Sequence, residues 1–154
     1  MREIKFRGKT LSTGEWVYGY FTRNPRIAAM IYCRDLGGSY EVIPETVGEY
    51  TGLKDKNSKE IWEGDIIKCT WSDDTESKRP DLWTYGIIRF GQGEVDASDY
   101  EKYSIEIIGF YIEYIKGCDN NPSSLLHYKI IEIIGNIHEN PVGKAVRYWR
   151  GRQG

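Results

Sequence analysis

The feature that most limits what this chain can fold into is its punctuation. Seventeen glycines fall among 154 residues, and the stretches between turns are short runs of Ile, Val, Tyr and Trp. β-Branched and aromatic side chains fit the pleated surface of a strand, while glycine accepts the positive φ of tight turns. The pattern predicts a mainly β fold, with seven or so short strands forming a barrel or a sandwich.

The elements follow from that pattern. Ile4–Arg7 and Trp16–Phe21 read as strands joined by the turn Leu11–Gly14, a hairpin because Gly14 can take positive φ. Arg26–Cys33 is a third strand and Asp35–Ser39 a loop. Short strands at Glu49–Thr51 and Glu60–Trp62 flank a turn at Lys54–Lys59, where Asp55, Asn57 and Ser58 favour side-chain bonds to the local backbone. Gly64 then supplies the φ of a second turn, and Asp65 bonds backbone donors as the strand Ile66–Trp71 begins. Ser72–Pro80 is a polar loop, Trp83–Phe90 a strand, Gly91–Ala97 a loop, and Asp99–Tyr103 a helical turn. Ser104–Lys116 reads as a strand whose apolar alternation changes phase at Gly109, as a β-bulge would cause. Asn120–Leu126 is a turn with one helical turn, capped by Ser123. Tyr128–Ile137 is apolar on both faces, which predicts a central strand, with a bulge at Gly135.

The length fits one domain over residues 1–154, with 142–154 as a mobile or partner-docking tail. Cys33, Cys69 and Cys118 are odd in number and widely spaced, which is no disulfide framework and points to a reducing cytoplasm. The start, MREIKFRGK, lacks the apolar core of a signal peptide. No apolar run approaches the ~20 residues of a membrane span.

Chemistry-bearing motifs are absent. There is no GxSxG, HExxH, phosphate-binding or dinucleotide fingerprint, no CxxC pair, and the two histidines, His127 and His138, lack a partner pattern. Asp55–Asp65 has the outline of a calcium loop, but Lys59 and Ile66 occupy positions that need oxygen ligands. Cys69 lies in an apolar strand and reads as a small buried hydrophobe. The expectation is a non-catalytic protein with no metal and no cofactor.

Charge is segregated. Residues 1–34 hold seven Lys/Arg against two acids, residues 141–154 four against none, and residues 35–140 ten against 21, a net of +5, +4 and −11. Two partner readings follow. In the first, the chain is an assembly module, a homo-oligomer in which the basic tail, anchored by Val146, Tyr148 and Trp149, meets an acidic neighbour. In the second, nucleic acid binds the basic ends. Arg2, Lys5, Arg7 and Lys9 around Phe6 would hold phosphates, as would Arg147 and Arg150 beside Tyr148 and Trp149. The same cations on a solvated strand would also discourage edge-to-edge aggregation.

Three segments resemble the YopX family of phage and prophage proteins. The first is Ile4-Lys5-Phe6-Arg7-Gly8-Lys9 with Trp16-Val17-Tyr18-Gly19. The second is Tyr50-Thr51-Gly52-Leu53-Lys54-Asp55-Lys56-Asn57-Ser58-Lys59-Glu60-Ile61-Trp62-Glu63-Gly64-Asp65-Ile66-Ile67. The third is Ile134-Gly135-Asn136-Ile137-His138-Glu139-Asn140-Pro141. Ser58 stands where the family often has Gly, and Trp62 where it often has Tyr. The resemblance implies an SH3-like small β-barrel elaborated with additional strands and short helical turns, in the cytoplasm of a bacterial host. It carries no catalytic residues.

Overall fold

A computed structural model describes residues 3–24, 28–70, 83–96, 104–115 and 128–140. The structure is mainly β, with two antiparallel sheets and no α-helix among the described residues. It divides into two compact units, Met1–Leu53 and Lys54–Gly154.

The first unit is built from β1 (Phe6–Lys9), β2 (Trp16–Asn24), β3 (Ala28–Cys33), β4 (Gly38–Glu41) and β5 (Gly48–Lys54), in the spatial order β4-β3-β2-β1-β5. The turn from β1 to β2 is tied by the Gly14 N–H donating to Thr10 O at 2.9 Å, with Gly14 at φ 71°. Alternation sets the two faces, because directly opposed residues share a face in an antiparallel pair. Phe6, Gly8, Val17, Phe21, Ala29 and Ile31 point inward. Val17, Ala29, Ile31 and Val42 form the buried core, with Phe6, Phe21, Tyr40 and Val47 packed against it. Gly8 is required by space, since a Cβ there would lie 3.1 Å from both Ile31 Cδ1 and Val42 Cβ. A 3₁₀ turn at Pro44–Thr46 pins the end of β1, where Thr46 Oγ1 accepts from the Lys9 N–H at 2.9 Å and donates to Ile43 O at 2.7 Å.

The second unit holds β6 (Glu60–Trp62), β7 (Asp65–Thr70), β8 (Thr84–Asp96), β9 (Ser104–Tyr114) and β10 (Ile130–Asn136). Four of these form a sheet in the order β10-β7-β8-β9. Its buried side chains are mostly isoleucines, Ile66, Ile67, Ile88 and Ile112 among them, with Cys69 fully buried beside them.

Several expectations need correction. β10 is an edge strand, not a central one. Backbone groups on its outer edge are nonetheless satisfied: Lys56 N–H donates to Ile131 O at 2.8 Å, and Ile133 N–H donates to Asp55 Oδ2 at 3.2 Å. The Gly135 bulge is present, with the register slipping between Ile133 and Gly135 so that Ile134 is the extra residue. Gly109 makes no bulge. The β8–β9 register is constant from Gly86↔Tyr114 to Asp96↔Ser104 and sets Gly109 directly opposite Gly91. Both glycines have positive φ, 136° and 142°, so the two strands change course together. Gly91–Asp96 accordingly belongs to β8 and is not a loop. The loop placed at Asp35–Ser39 ends early, because Gly38 already opens β4.

Neither sheet is closed among the described strands, so the SH3-like barrel is not seen as a closed form. The helical turns placed at Asp99–Tyr103 and Asn120–Leu126, the loop Ser72–Pro80, Cys118 and His127 lie outside the described residues.

Candidate functional site

Two polar constellations stand out, one in each unit. The first is the outer face of the first sheet. β1 turns Phe6 and Gly8 to the core, which forces Lys5, Arg7 and Lys9 to the other side. The register opposes Arg7 to Tyr18 and Lys9 to Trp16. The next step along β2 places Tyr20 on the same face, directly opposite Tyr32 of β3. Lys5 Nζ lies 4.7 Å from the Tyr50 ring centroid, while the Arg7 guanidinium and Lys9 Nζ lie 4.6 and 5.4 Å from that of Trp16. Rings hold cations in this way through the negative potential of their faces.

The face therefore has a row of cations along β1, in which Arg7 is buried at 8% exposure and Lys5 and Lys9 are the more accessible members, with an aromatic field beside it. Tyr18, Tyr20 and Tyr32 are 46%, 58% and 46% exposed, which is large for rings that could have entered a core. Glu49 lies buried on β5 next to the row, opposite Phe6. Glu3, itself well exposed, reaches Lys5 at 3.5 Å, and Glu41 shares the face but lies on β4, three strands from β1.

Of the residues singled out from sequence, Lys5, Arg7 and Lys9 are brought together here. Arg2, Arg147, Tyr148, Trp149 and Arg150 lie outside the described residues. Sequence reasoning missed Trp16, Tyr18, Tyr20 and Tyr32 as site residues. The signal was available in the alternation Trp16-Val17-Tyr18-Gly19-Tyr20, which puts three rings on one face of a strand.

The second constellation surrounds the turns of the second unit. Asp55 is buried, and its carboxylate accepts from the backbone N–H groups of Asn57 (2.8 Å), Lys59 (2.9 Å) and Ile133 (3.2 Å). Burial opposes ionisation here, but the N–H donors of Lys59, Ile133 and Asn57 outweigh it and hold the Asp55 carboxyl below the ordinary aspartate range. Ser58, inside this turn, has φ 64°. Gly64 has φ 85°; its N–H donates to Ile88 O at 2.8 Å and its carbonyl accepts from the Ile137 N–H at 3.0 Å. Asp65 Oδ2 accepts from the Trp62 N–H at 2.9 Å, and its Oδ1 from the Asn136 amide at 3.2 Å. Asn136 Oδ1 in turn accepts from the His138 N–H at 2.9 Å. Glu132 receives Lys56 at 2.6 Å and Lys68 at 3.0 Å. Burial again works against its charge, and the two lysines prevail, holding it below the ordinary glutamate range.

These polar groups are spent on one another and on the backbone. Their geometry is that of turns and strand ends being held in place, with no donor or acceptor set aimed at a common outside point. Among the described residues no three His, Cys, Asp or Glu side chains gather as a metal site would require.

A family model described as YopX protein matches residues 5–142. The chain belongs to the YopX family. In this YopX chain the match spans both units, taking in the cationic row and the Asp55–Asp65 turns, and it stops before Arg147–Arg150. The chain also matches the crystal structure of protein EF1440 from Enterococcus faecalis, at 22% identity and a TM-score of 0.44, over 94% of this chain and 99% of that one. No curated protein matches the sequence. No helix among the described residues is long and apolar enough to cross a membrane.

Proposed function

We propose that this YopX-family chain is a non-catalytic binding protein of a phage or prophage, and that the outer face of its first sheet binds nucleic acid in the bacterial cytoplasm. One observation carries the reading: Lys5, Arg7 and Lys9 share a single face with Trp16, Tyr18, Tyr20 and Tyr32. Cations in a row neutralise phosphates, and the release of counterions that follows supplies sequence-independent affinity. Exposed rings beside them supply stacking surfaces. The free thiols of Cys33 and Cys69 suit a reducing compartment.

The test is fluorescence anisotropy with labelled DNA across a salt series. Two phosphate contacts, from Lys5 and Lys9, give a slope of log K against log salt of about −1.4 for a single strand. Replacing Lys5 and Lys9 together by Gln should remove most of that slope. A salt-independent association, or none, would remove the reading.

Self-association is the second reading, favoured by the −11 carried by residues 35–140. A basic face on one copy and an acidic segment on the next would give a directional, heterologous contact that closes into a ring. Light scattering decides it, since a monomer at tens of micromolar protein, with and without residues 145–154, leaves no room for a homo-oligomer.

A further inference from the structure

The proposed face has a geometry that discriminates between forms of nucleic acid. We infer that it takes a single strand, with phosphates along β1 and bases stacked on the rings of β2 and β3. This inference rests on the reading that the face binds nucleic acid at all.

The register aligns one cation with one ring. Lys9 is opposite Trp16 and Arg7 opposite Tyr18, and the same register carried one step further sets Lys5 across from Tyr20. Successive positions on one face of a strand are about 6.7 Å apart, and neighbouring strands about 4.8 Å apart. At the Lys9 end the charge lies over a ring, since Arg7 and Lys9 sit on Trp16; beyond it Tyr18, Tyr20 and Tyr32 leave an exposed aromatic surface beside the row of cations. An extended nucleic-acid strand offers the matching pair, its phosphates and its bases. Tyr32, opposite Tyr20, widens the aromatic surface at one end.

A duplex cannot use this arrangement. Its base faces are buried in the stack, so it offers phosphates to Lys5 and Lys9 and nothing to the three exposed tyrosines. Nor can the sheet enter a groove to read base edges. Five strands at about 4.8 Å span about 19 Å, against a major groove about 12 Å wide. The charge alone would let a duplex bind, but only weakly and without the rings.

The experiment compares a labelled oligo-dT and a labelled oligo-rU, each of roughly twelve nucleotides to exceed the three or so that the face can hold, with a DNA duplex of equal length. Both single strands are expected to bind at least roughly tenfold tighter than the duplex, since each stacked base contributes strongly to such complexes. Tyr20→Ala with Tyr32→Ala should lower single-strand affinity by roughly tenfold or more while leaving the salt slope unchanged, and Tyr20→Phe with Tyr32→Phe should restore it. Binding of the duplex as tightly as the single strands, or tyrosine variants that bind like the parent, would overturn the inference while the lysine variants still report nucleic-acid binding. Binding of neither form would remove the underlying reading and the inference with it. A preference for oligo-rU over oligo-dT, or the reverse, would support it and name the natural strand.

Discussion

The two units differ in where their polar and aromatic residues gather, although the second also sets Lys68 on the Trp83 ring and leaves Phe90 46% exposed. In the second unit, Asp55, Asp65, Asn136 and Glu132 are turned inward or along the strand ends, and each meets named donors within the unit. In the first unit, Lys5, Arg7 and Lys9 are turned outward onto rings, and three tyrosines are left about half exposed. A buried carboxylate is tolerated only where its hydrogen bonds are made, so the second arrangement is what a fold needs to hold its turns. An exposed aromatic field is not required by any fold. On the proposed reading, the second arrangement serves structure and the first serves recognition, and each of the following outcomes would sharpen or break that division.

The largest expected effect is on Asp65. It is 2% exposed and serves both the Trp62 N–H and the Asn136 amide. Asp65→Ala leaves two buried donors without their acceptor, at a cost of about 3 kcal/mol. That is a large share of the 5–15 kcal/mol that holds a typical domain together. Urea denaturation should show the midpoint fall at constant slope. A double-mutant cycle with Asn136→Ala should show coupling between the two side chains. A neutral Asp65→Ala would mean that the inward network is not what holds these turns.

Acid comes next. Asp55 and Glu132 both have their carboxyls held below the ordinary range in the folded state. A depressed folded value means that the unfolded chain binds protons more readily. The stabilisation is therefore present above the ordinary carboxylate values and is lost as pH falls through the folded ones. The loss should begin below about pH 4. Following thermal unfolding from pH 6 down to pH 2.5 tests it, and Glu132→Gln should flatten part of the decline.

Much of the β architecture was legible, and the failures have physical causes. The hairpin at Leu11–Gly14 and the turn at Lys54–Lys59 were readable because their signals are local: a glycine able to take positive φ, and Asp and Asn side chains that bond the adjacent backbone. The position of β10 was not, because a strand apolar on both faces reads as central whether a strand or a loop covers its edge. The cover is Asp55 and Lys56, 78 residues from Ile133 in the case of the aspartate, and no local pattern encodes that contact. The Gly109 reading failed similarly, since its partner is Gly91 on another strand. For the site, the cations of β1 were visible as alternation. The rings were not recognised because Tyr and Trp on a strand ordinarily signal packing, and only the register shows Tyr20 and Tyr32 facing solvent together.

Two turn residues with positive φ should respond in opposite directions. Gly64, at φ 85°, is free of strain, and Gly64→Val should cost about 1–3 kcal/mol. Ser58, at φ 64°, carries a Cβ in a conformation that favours glycine. Ser58→Gly should relieve that strain, but it also adds freedom to the unfolded chain. The net gain expected is therefore smaller, about 0.5 kcal/mol, and equilibrium unfolding in urea reads both changes on one scale.

The smallest stability effect belongs to the outward face, and it is the one on which the division depends. Tyr20 is 58% exposed and Tyr32 46%. They oppose one another across β2 and β3, and such a pair contributes a few tenths of a kcal/mol, up to about 1 kcal/mol, to a sheet. Exposed substitutions away from special features usually stay within about 0.5 kcal/mol. Tyr20→Ala and Tyr32→Ala should each fall in that range by thermal unfolding, far below the loss for Asp65→Ala. Their effect on single-strand binding should be large over the same set of variants. If either tyrosine variant unfolds as readily as Asp65→Ala, the rings are part of the packing. The outward face would then be structural too, and the contrast between the units would disappear. If both variants are stable and bind poorly, stability and recognition are separated residue by residue, as the placement of the two constellations implies.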